Sequence, residues 1–578
     1  MARTKKAAKK KTAADPKQIA KRKQKSQIRG LFRRLGFAHI ASDGKTFTFD
    51  GRTGEIDDIF VTSNVVVMCE YTTDNDTTAH ASRKSHLYKN IYSNQSGWIV
   101  FLAANFPAFD EYRSSNGHTD EEYRASICYF STKGVSDEIE NAMKFVKFLD
   151  GTRLRYFESL TKAIHQSARY EFFKYLGLEF SEIGDSIKST STNSRQFSGH
   201  VLPESFSSFP PDFKVVSFNA DPGTLLTMSY VLRRDSWRDP EGMYQRVISR
   251  AKMNQMRRYL TTEERVFVNN IIVTLPSETV LNDPAKNGRN LDPRELKKVR
   301  DATIVVPYRS DAIGIVDGQH RVYCYHEGSD KYETKIQPLR NRQNLLVTGI
   351  VYPENYSEAE KRRFEAKLFL EINDKQKRTS SDLRQSIELI LNPYSAVAIA
   401  KSVISRLNSS GPLKGMLQTN YFDEAGLLKT TSIVSYGLKP LLKLEENSDS
   451  IFSIWENPNK KLLISFQKLE KTPKDNSILD DYVKFASEKI NEILIAAKKQ
   501  DRPERWRIPD NKRDRQISPT MINGFIVCLR LLIENDKTAT TRTYEKHFDN
   551  LSAFNFKGYK SSQWKALGNR LFQTFFSK

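Results

Sequence analysis

Apolar residues recur along this chain in two periods, one typical of strands and one typical of helices. Two runs rich in β-branched residues, 54–62 and 65–72, flank the turn-prone pair Ser63-Asn64, which predicts a β-hairpin with a two-residue loop. Residues 151–176, and most of the chain after residue 382, are apolar at helical spacing. The pattern therefore predicts a mixed α/β (α+β) protein with a helical C-terminal region.

The predicted hairpin places carboxylates opposite each other. With a two-residue loop, Asp57 lies opposite Glu70, and Glu55 lies opposite Thr72. Because side chains alternate along a strand, these four share one face. Opposed carboxylates repel each other unless a divalent cation lies between them or one of them is protonated. The hairpin therefore predicts a metal site, and a plain hairpin whose acids face solvent is the alternative.

This hairpin resembles the core of PD-(D/E)xK nucleases, through Gly54-Glu-Ile-Asp, the turn and the following Glu70. Residues 28–37 match that fold's first helix, and 124–130 match its third strand. The resemblance implies a restriction-endonuclease-like domain in which Asp57 and Glu70 hold Mg²⁺, a cation that polarises phosphate and activates water.

The chain departs from the nuclease motif at one position. Thr72 stands where the family has its catalytic lysine. Lys84 or Lys89, on the next predicted helix, is then the substitute. An active nuclease and a degenerate core that only holds DNA both stay open. His80 and His86 flank Lys84 and are predicted to be polar surface residues, because no cluster at metal-ligand spacing accompanies them.

A second stretch, residues 313–325, predicts a buried strand that ends at Asp317-Gly318 and continues as a helix. Such a turn leaves backbone N–H groups free, and these attract anions together with the helix dipole. Gln319, His320 and Arg321 add a hydrogen-bonding amide, a titratable imidazole and a cation whose planar fork suits phosphate. The alternative is an ordinary turn with solvated side chains.

Residues 317–321 spell the signature of the DGQHR-domain family, which includes DndB-like proteins of DNA phosphorothioation. They also resemble the nucleotide loops of ParB/sulfiredoxin-like folds. The resemblance extends to Tyr244-Gln-Arg246, 267–273 and Asn373-Asp-Lys-Gln376. It implies a nucleotide-binding domain, with NTP hydrolysis in some members and His320 as acid/base or as a donor to phosphate. The predicted nucleotide-binding residues are Asp317, Gly318, Gln319, His320, Arg321, Asn373, Gln376 and Arg246. Asn373 and Gln376 follow a predicted helix end, where polar side chains often close a pocket, and a capped helix–helix turn is the alternative. For Arg246 the alternative is a basic solvent face.

Motifs and composition together predict five segments. They are a basic disordered tail (1–27), a restriction-endonuclease-like domain (28–180), a Ser/Thr-rich linker (181–200), a ParB/sulfiredoxin-like DGQHR domain (201–400) and a helical C-terminal region (401–578).

Charge points to a polyanionic partner. The net charge is +22, and residues 1–30 hold 12 Lys or Arg against the single acid Asp15, as in electrostatic arms on nucleic acid. The alternative for this tail is a solubilising segment without a partner. Arg505-Trp506-Arg507 and Lys557-Gly-Tyr-Lys560 mix cations with aromatics, as single-strand binders do, although most such runs are solvated faces.

The remaining composition indicates a cytoplasmic protein. Four scattered cysteines without a CxxC pair favour a reducing compartment. Neither an apolar run long enough to span a bilayer nor a signal-type N-terminus is present, so no membrane partner is expected.

The leading hypothesis is a DNA-acting protein of a prokaryotic modification or anti-phage defence system. It would bind duplex DNA and a nucleotide (an NTP), cleave DNA with Mg²⁺, and work with partner proteins of the same operon. The alternatives are a non-catalytic DNA-binding regulator of a modification system and, less favoured, an RNA-binding protein.

Overall fold

The computed structural model describes residues 16–73, 76–188, 194–231, 247–285, 288–310, 312–373, 380–446, 449–468, 476–509 and 514–577. Their contacts form two units. The first contains the described residues up to Val231 together with Val247–Asn355, and the second contains those from Tyr356 onward. Sheets dominate the first unit and helices the second, so the chain is a mixed α/β protein, as predicted.

The first part of the first unit, here called the N-terminal lobe (residues 16–188), is a five-stranded sheet with helices on both faces. Its strand order is β1-β4-β5-β6-β7, antiparallel as far as β5 and parallel from β5 to β7. The elements are α1 (Pro16–Leu35), β1 (Ala38–Ala41), β2 (Phe47–Phe49), β3 (Arg52–Gly54), β4 (Asp58–Thr62), β5 (Val65–Thr72), α2 (Thr77–Ser93), α3 (Gln95–Asn105), α4 (Pro107–Asn116), β6 (Arg124–Ser131), α5 (Asp137–Ala142), β7 (Val146–Leu149), α6 (Gly151–Ile164) and α7 (Arg169–Leu176).

The predicted hairpin is present in the predicted register. Strands β4 and β5 pair from Asp58↔Cys69 to Thr62↔Val65, which leaves a two-residue loop. All eight residues of β5 are buried, because both faces of the central strands are covered. On one face Phe32 of α1 stacks on Phe60, with ring centroids 4.1 Å apart. On the other, the strands pack against α2 and α3.

Two predictions for this lobe are wrong in part. Helix α1 begins at Pro16, so residues 16–27 are helical rather than a disordered tail, while residues 1–15 lie outside the described part. Lys, Gln and Ala are good helix formers, and proline suits the first turn. The helix predicted over 151–176 is broken by a 3₁₀ turn at His165–Ala168, where His165 has a φ of 43°.

The second part of the first unit, here called the central lobe (residues 194–355), contains a mixed eight-stranded sheet. Its strand order is β10-β14-β11-β15-β9-β8-β13-β12. The elements are β8 (Ser194–Val201), α8 (Glu204–Ser207), β9 (Lys214–Ala220), α9 (Pro222–Met228), β10 (Ser229–Tyr230), α10 (Arg250–Glu263), β11 (Ile271–Leu275), β12 (Val280–Asn282), β13 (Arg300–Pro307), β14 (Ile313–Asp317), α11 (Gln319–Tyr323), α12 (Glu333–Arg342) and β15 (Leu345–Val351).

The predicted linker is wrong in its last part, which forms strand β8. Residues 194–200 were assigned to the linker 181–200, but they pair along their length with β13. The Ser-, Thr- and Asn-rich composition of residues 186–198 suggested a loop, and only Phe197 and Val201 are buried in this strand. The strand forms because its backbone completes the ladder between β9 and β13.

The predicted strand–glycine–helix arrangement is confirmed. Strand β14 ends at Asp317, Gly318 has a φ of 100°, and α11 follows directly. A Cβ at position 318 would lie 2.7 Å from Ile271 Cδ1, so the position requires glycine for space as well as for its backbone angle. The helix is short, with five residues.

The second unit is mainly helical, as predicted, but it begins earlier than residue 401. Residues 356–400, which were placed in the DGQHR domain, belong to it. Its elements are α13 (Glu358–Asn373), α14 (Ser381–Leu391), α15 (Ala396–Ser409), β16 (Leu417–Gln418), β17 (Leu428–Lys429), α16 (Lys439–Leu441), α17 (Lys461–Phe466), α18 (Ser477–Gln500), α19 (Pro519–Glu534), α20 (Thr541–His547) and α21 (Trp564–Phe576), with a π-helical turn at Ile433–Leu438.

Helix α19 lies in the core of this unit, together with α15 and α18. Ser518 caps it and accepts a hydrogen bond from the N–H of Met521 at 3.2 Å. In the described part of the chain, no single helix combines the length and hydropathy of a membrane span; α14 and α15 reach them only as a pair bent by 102°.

Candidate functional site

The hairpin brings Asp57 and Glu70 to the same end of the N-terminal sheet. Asp57 directly precedes β4, and the pairing of Asp58 with Cys69 places Asp57 opposite Glu70. By alternation both face α2, whereas Asp58 and Tyr71 face α1. The two carboxylates are buried, with exposed fractions of 8% and 4%. Such burial is costly for charged groups unless a cation or a proton compensates.

Helix α2 supplies that cation. Its Lys84 forms an ion pair with Glu70 Oε1 and donates a hydrogen bond to the carbonyl of Glu55 at 3.2 Å. The helix is positioned by its cap, where Asp76 accepts from the N–H of Ala79 at 2.9 Å. The structure thus brings together Asp57, Glu70 and Lys84. Lys89, the other candidate, is exposed on the same helix.

The two carboxyl groups have raised pKa values. Burial raises the pKa of Glu70 to about 7; Lys84 opposes the shift, and Asp57 and Glu55 add to it. Burial also raises the pKa of Asp57, against a hydrogen bond of 2.9 Å from the N–H of Tyr71 and the charge of Lys21. Glu70 Oε2 is buried, and the buried hydroxyl of Tyr88, whose pKa is raised by burial and by Glu70, lies beside this carboxylate. The site therefore has capacity for a proton or a further cation.

Helix α1 contributes two residues that the sequence analysis did not select. Gln24 is buried and donates from Nε2 to the carbonyls of Thr72, at 3.3 Å, and Phe130, at 3.4 Å. Lys21 Nζ lies 3.9 Å from Asp57 Oδ1. Both lay in the predicted tail. Their spacing from the buried Ile28 by four and seven residues was the available signal, because it places all three on one helix face.

Asp58, the neighbour of Asp57, has a structural role because its carboxylate is fully hydrogen-bonded. It accepts two hydrogen bonds from Arg29, at 2.9 and 2.7 Å, and others from His39, at 2.5 Å, and the Tyr71 hydroxyl, at 2.9 Å. Burial raises its pKa, but these hydrogen bonds outweigh burial, so the pKa lies below its usual value. Both carboxylate oxygens of Asp58 accept hydrogen bonds, and these bonds link α1 and β1 to β4.

The prediction that His80 is a surface residue is wrong. Its side chain is only 18% exposed, and Nε2 lies 3.9 Å from Glu70 Oε1. Nδ1 is 2.8 Å from the hydroxyl of Tyr129. His86 is exposed, as predicted. His80 is therefore a polar neighbour of the carboxylate site, which its sequence position beside Lys84 did not reveal.

In the DGQHR turn, Arg321 folds back onto the strand end. Its Nη2 donates to Asp317 Oδ2 at 2.8 Å and to the carbonyl of Asn270 at 2.7 Å. Its Nε is buried and has no acceptor within the described residues. Gln319 is buried, and His320 is partly buried. The guanidinium thus closes the turn and keeps one donor available.

The structure does not test the other predicted nucleotide contacts. Arg246 and Gln376 lie outside the described residues. Asn373 belongs to the second unit and donates from Nδ2 to the carbonyl of Phe369 at 3.0 Å, within its own helix. Their part in nucleotide binding stays a prediction.

A His–His–Asp cluster lies between the two lobes of the first unit. Side-chain ligand atoms of His165, His326 and Asp330 lie within 4.8 Å of one another. However, Arg257, which is fully buried, forms ion pairs with Asp330 at 2.8 Å and Glu333 at 2.9 Å. Burial, then the charge of Arg257, lowers the pKa of His326 to about 3. Because Asp330 neutralises Arg257, we assign this cluster to the packing of the lobes.

Comparisons of the chain with models of protein families, with curated proteins and with solved structures give no match. The assignment of function therefore depends on the residues and contacts of the carboxylate site and of the DGQHR turn.

Proposed function

We propose that this protein acts on DNA and cleaves it with Mg²⁺ at Asp57, Glu70 and Lys84. One observation carries the proposal: two buried carboxylates, one directly before β4 and one on its partner β5, lie beside a lysine from the following helix. Perturbed carboxyl pKa values are typical of functional sites. The net charge of +22 favours a polyanionic substrate.

The order of elements supports a restriction-endonuclease-like lobe. Helix α1, the antiparallel pair β4–β5, helix α2 and the parallel strand β6 follow one another around the site. This is the order expected from the resemblance to PD-(D/E)xK nucleases. In this chain the lysine comes from α2, in place of Thr72 on β5.

The carboxylates fit Mg²⁺. Carboxylate oxygens are the ligands that Mg²⁺ prefers, and Asp57 and Glu70 are two buried carboxyl groups with raised pKa values, a cost that a divalent cation between them would offset. Asp57 and Glu70 would hold the ion. When bound, Mg²⁺ would polarise the phosphate and activate water.

The side chains around the carboxylates position and attract the substrate. Lys84 stays close to Glu70 and supplies the positive charge that attracts a phosphodiester. Lys21, whose side chain is 56% exposed, offers a second cation beside Asp57. Gln24 holds the ends of β5 and β6 together and thereby fixes Glu70. Rigid support of this kind keeps reacting groups in productive geometry.

We also propose nucleotide binding at the DGQHR turn, as part of a prokaryotic DNA-modification or defence function with partner proteins. Gly318 gives the turn its left-handed backbone, which lets α11 start directly after β14. Arg321 Nε provides a buried donor for phosphate. In this role the nucleotide controls the action on DNA.

A second candidate is a DNA-binding regulator without cleavage. Two observations favour it: Thr72 occupies the family's lysine position, and Lys84 binds Glu70 directly. A lysine held in this way neutralises the carboxylate and removes part of its charge for a metal.

Plasmid cleavage separates the two candidates. Supercoiled plasmid is incubated with the full-length protein and Mg²⁺, with and without each NTP. We expect nicking that is lost in Glu70→Gln and Lys84→Ala but kept in Lys89→Ala, a matched change on the same helix. Gel shifts should persist in all variants. Intact plasmid in every lane, despite a gel shift, would favour the regulator.

A further inference from the structure

The second unit contains a cavity of about 440 Å³ at the N-terminal end of α19. Its walls come from separate parts of the chain: residues 502–505, the start of α19 and residues 552–559. The first and last overlap the two segments whose mixture of cations and aromatics stood out in the sequence. The volume lies in the range of small-ligand pockets, about 300–1,000 Å³.

The cavity is cationic. Arg502, Arg505 and Lys557 line it, and among its described lining residues none is acidic. Arg505 is 8% exposed and is committed to Asp501, at 2.5 Å, and to the ring of Phe556, at 4.8 Å. Arg502 and Lys557 are exposed and form no side-chain ion pair within the described structure. Two cations are therefore available to an anionic ligand.

Aromatic side chains line the same cavity. Phe554 and Tyr559 lie nearly parallel, with an interplanar angle of 5° and centroids 6.3 Å apart. Both are partly buried. An aromatic ring beside free cations suits a ligand that joins a phosphate to a planar base, because the base stacks while the phosphate pairs with Arg or Lys.

Small polar groups complete the lining. Ser518 and Thr520, at the start of α19, and Asn555 provide hydroxyl and amide groups for hydrogen bonds. Ser518 Oγ is directed to the N–H of Met521. In the segment that contains Arg502, Asp501 accepts hydrogen bonds from the backbone N–H of Arg502 at 2.8 Å and from Trp506 Nε1 at 2.9 Å. Arg502 therefore extends from a backbone segment that these hydrogen bonds hold in place.

We propose that this cavity binds one nucleotide, with its phosphate at Arg502 and Lys557 and its base against Tyr559 and Phe554. The nucleotide is either free or part of a single strand, since a base must be unpaired to stack on a side chain. The site lies in the second unit, so the proposal does not depend on cleavage at Asp57 and Glu70.

The test uses full-length protein and the fluorescence anisotropy of a labelled 12-nucleotide oligothymidylate. We expect Arg502→Ala with Lys557→Ala to weaken binding by about tenfold to a hundredfold and to reduce the salt dependence by about 1.4 in logarithmic slope. Arg406→Ala with Lys414→Ala removes the same charges from exposed positions of the same unit and should change affinity by less than about twofold. Tyr559→Leu should weaken binding by about fivefold or more.

Competition identifies the source of the nucleotide. Displacement of the oligonucleotide by AMP or TMP assigns the site to a free nucleotide, and displacement by unlabelled oligonucleotide alone assigns it to a single strand. Thermal melts confirm that each variant is folded. Equal weakening by the two double variants, or unchanged affinity in the Arg502/Lys557 pair and in Tyr559→Leu, would overturn the proposal.

Discussion

Replacing Glu70 by glutamine tests the carboxylate site without requiring cleavage. The pKa of Glu70 is raised from 4.5 to about 7, so the folded state binds its proton more tightly than the unfolded state does. Below about pH 4.5 this carboxyl is protonated in both states and costs nothing. As the pH rises from 4.5 through 7, the unfolded chain releases this proton before the folded chain does. The free energy of unfolding therefore falls, by on the order of 3 kcal/mol for this shift.

Glu70→Gln removes this titration and keeps the shape of the side chain. We expect the variant to be more stable than the native chain at pH 8, by up to about 3 kcal/mol, with a difference that vanishes towards pH 4.5. Urea unfolding at several pH values measures this. Glu111→Gln, an exposed carboxylate on α4, is the matched control and should follow the native chain.

Mg²⁺ gives a second readout of the same group. Because a metal competes with the proton, added Mg²⁺ should stabilise the native chain more at pH 8 than at pH 6, and should have little effect on Glu70→Gln. A stability difference that does not change with pH would refute the raised pKa. Equal stabilisation of both chains by Mg²⁺ would refute Glu70 as a ligand.

Three further predictions concern the central lobe. Arg257→Leu leaves Asp330 without its buried cation, whereas Glu333 keeps Arg340 at 2.7 Å. The change should lower the free energy of unfolding by about 3–5 kcal/mol, and a similar loss in Arg258→Leu, an exposed neighbour, would contradict this. Gly318→Ala combines a left-handed backbone with a Cβ 2.7 Å from Ile271. Its loss of unfolding free energy in chemical denaturation should therefore exceed that of Gly44→Ala, about 1 kcal/mol, because Gly44 has a positive φ but open space around it. Equal losses would contradict the steric reason. Arg321→Ala should lower the number of NTP molecules bound per chain in equilibrium dialysis, because the second-unit cavity keeps its own residues, and an unchanged number would remove the DGQHR turn as a nucleotide site.

The sequence by itself determined the local features of this protein. The hairpin register that sets Asp57 opposite Glu70, the strand–glycine–helix turn at Gly318 and the cap at Ser518 follow from side-chain alternation, turn chemistry and hydrogen bonds within a few residues. These interactions are made by residues that are close in the sequence, so they can be predicted before the fold is known.

Only the tertiary structure decided which distant side chains meet. Lys84 reaches Glu70, and Gln24 reaches the ends of β5 and β6, because α2 and α1 pack on opposite faces of one sheet. Arg502 and Lys557 share a cavity because α19 holds two remote segments at its start. Helix–sheet packing depends on burial summed over a whole core, which no local window of the sequence contains.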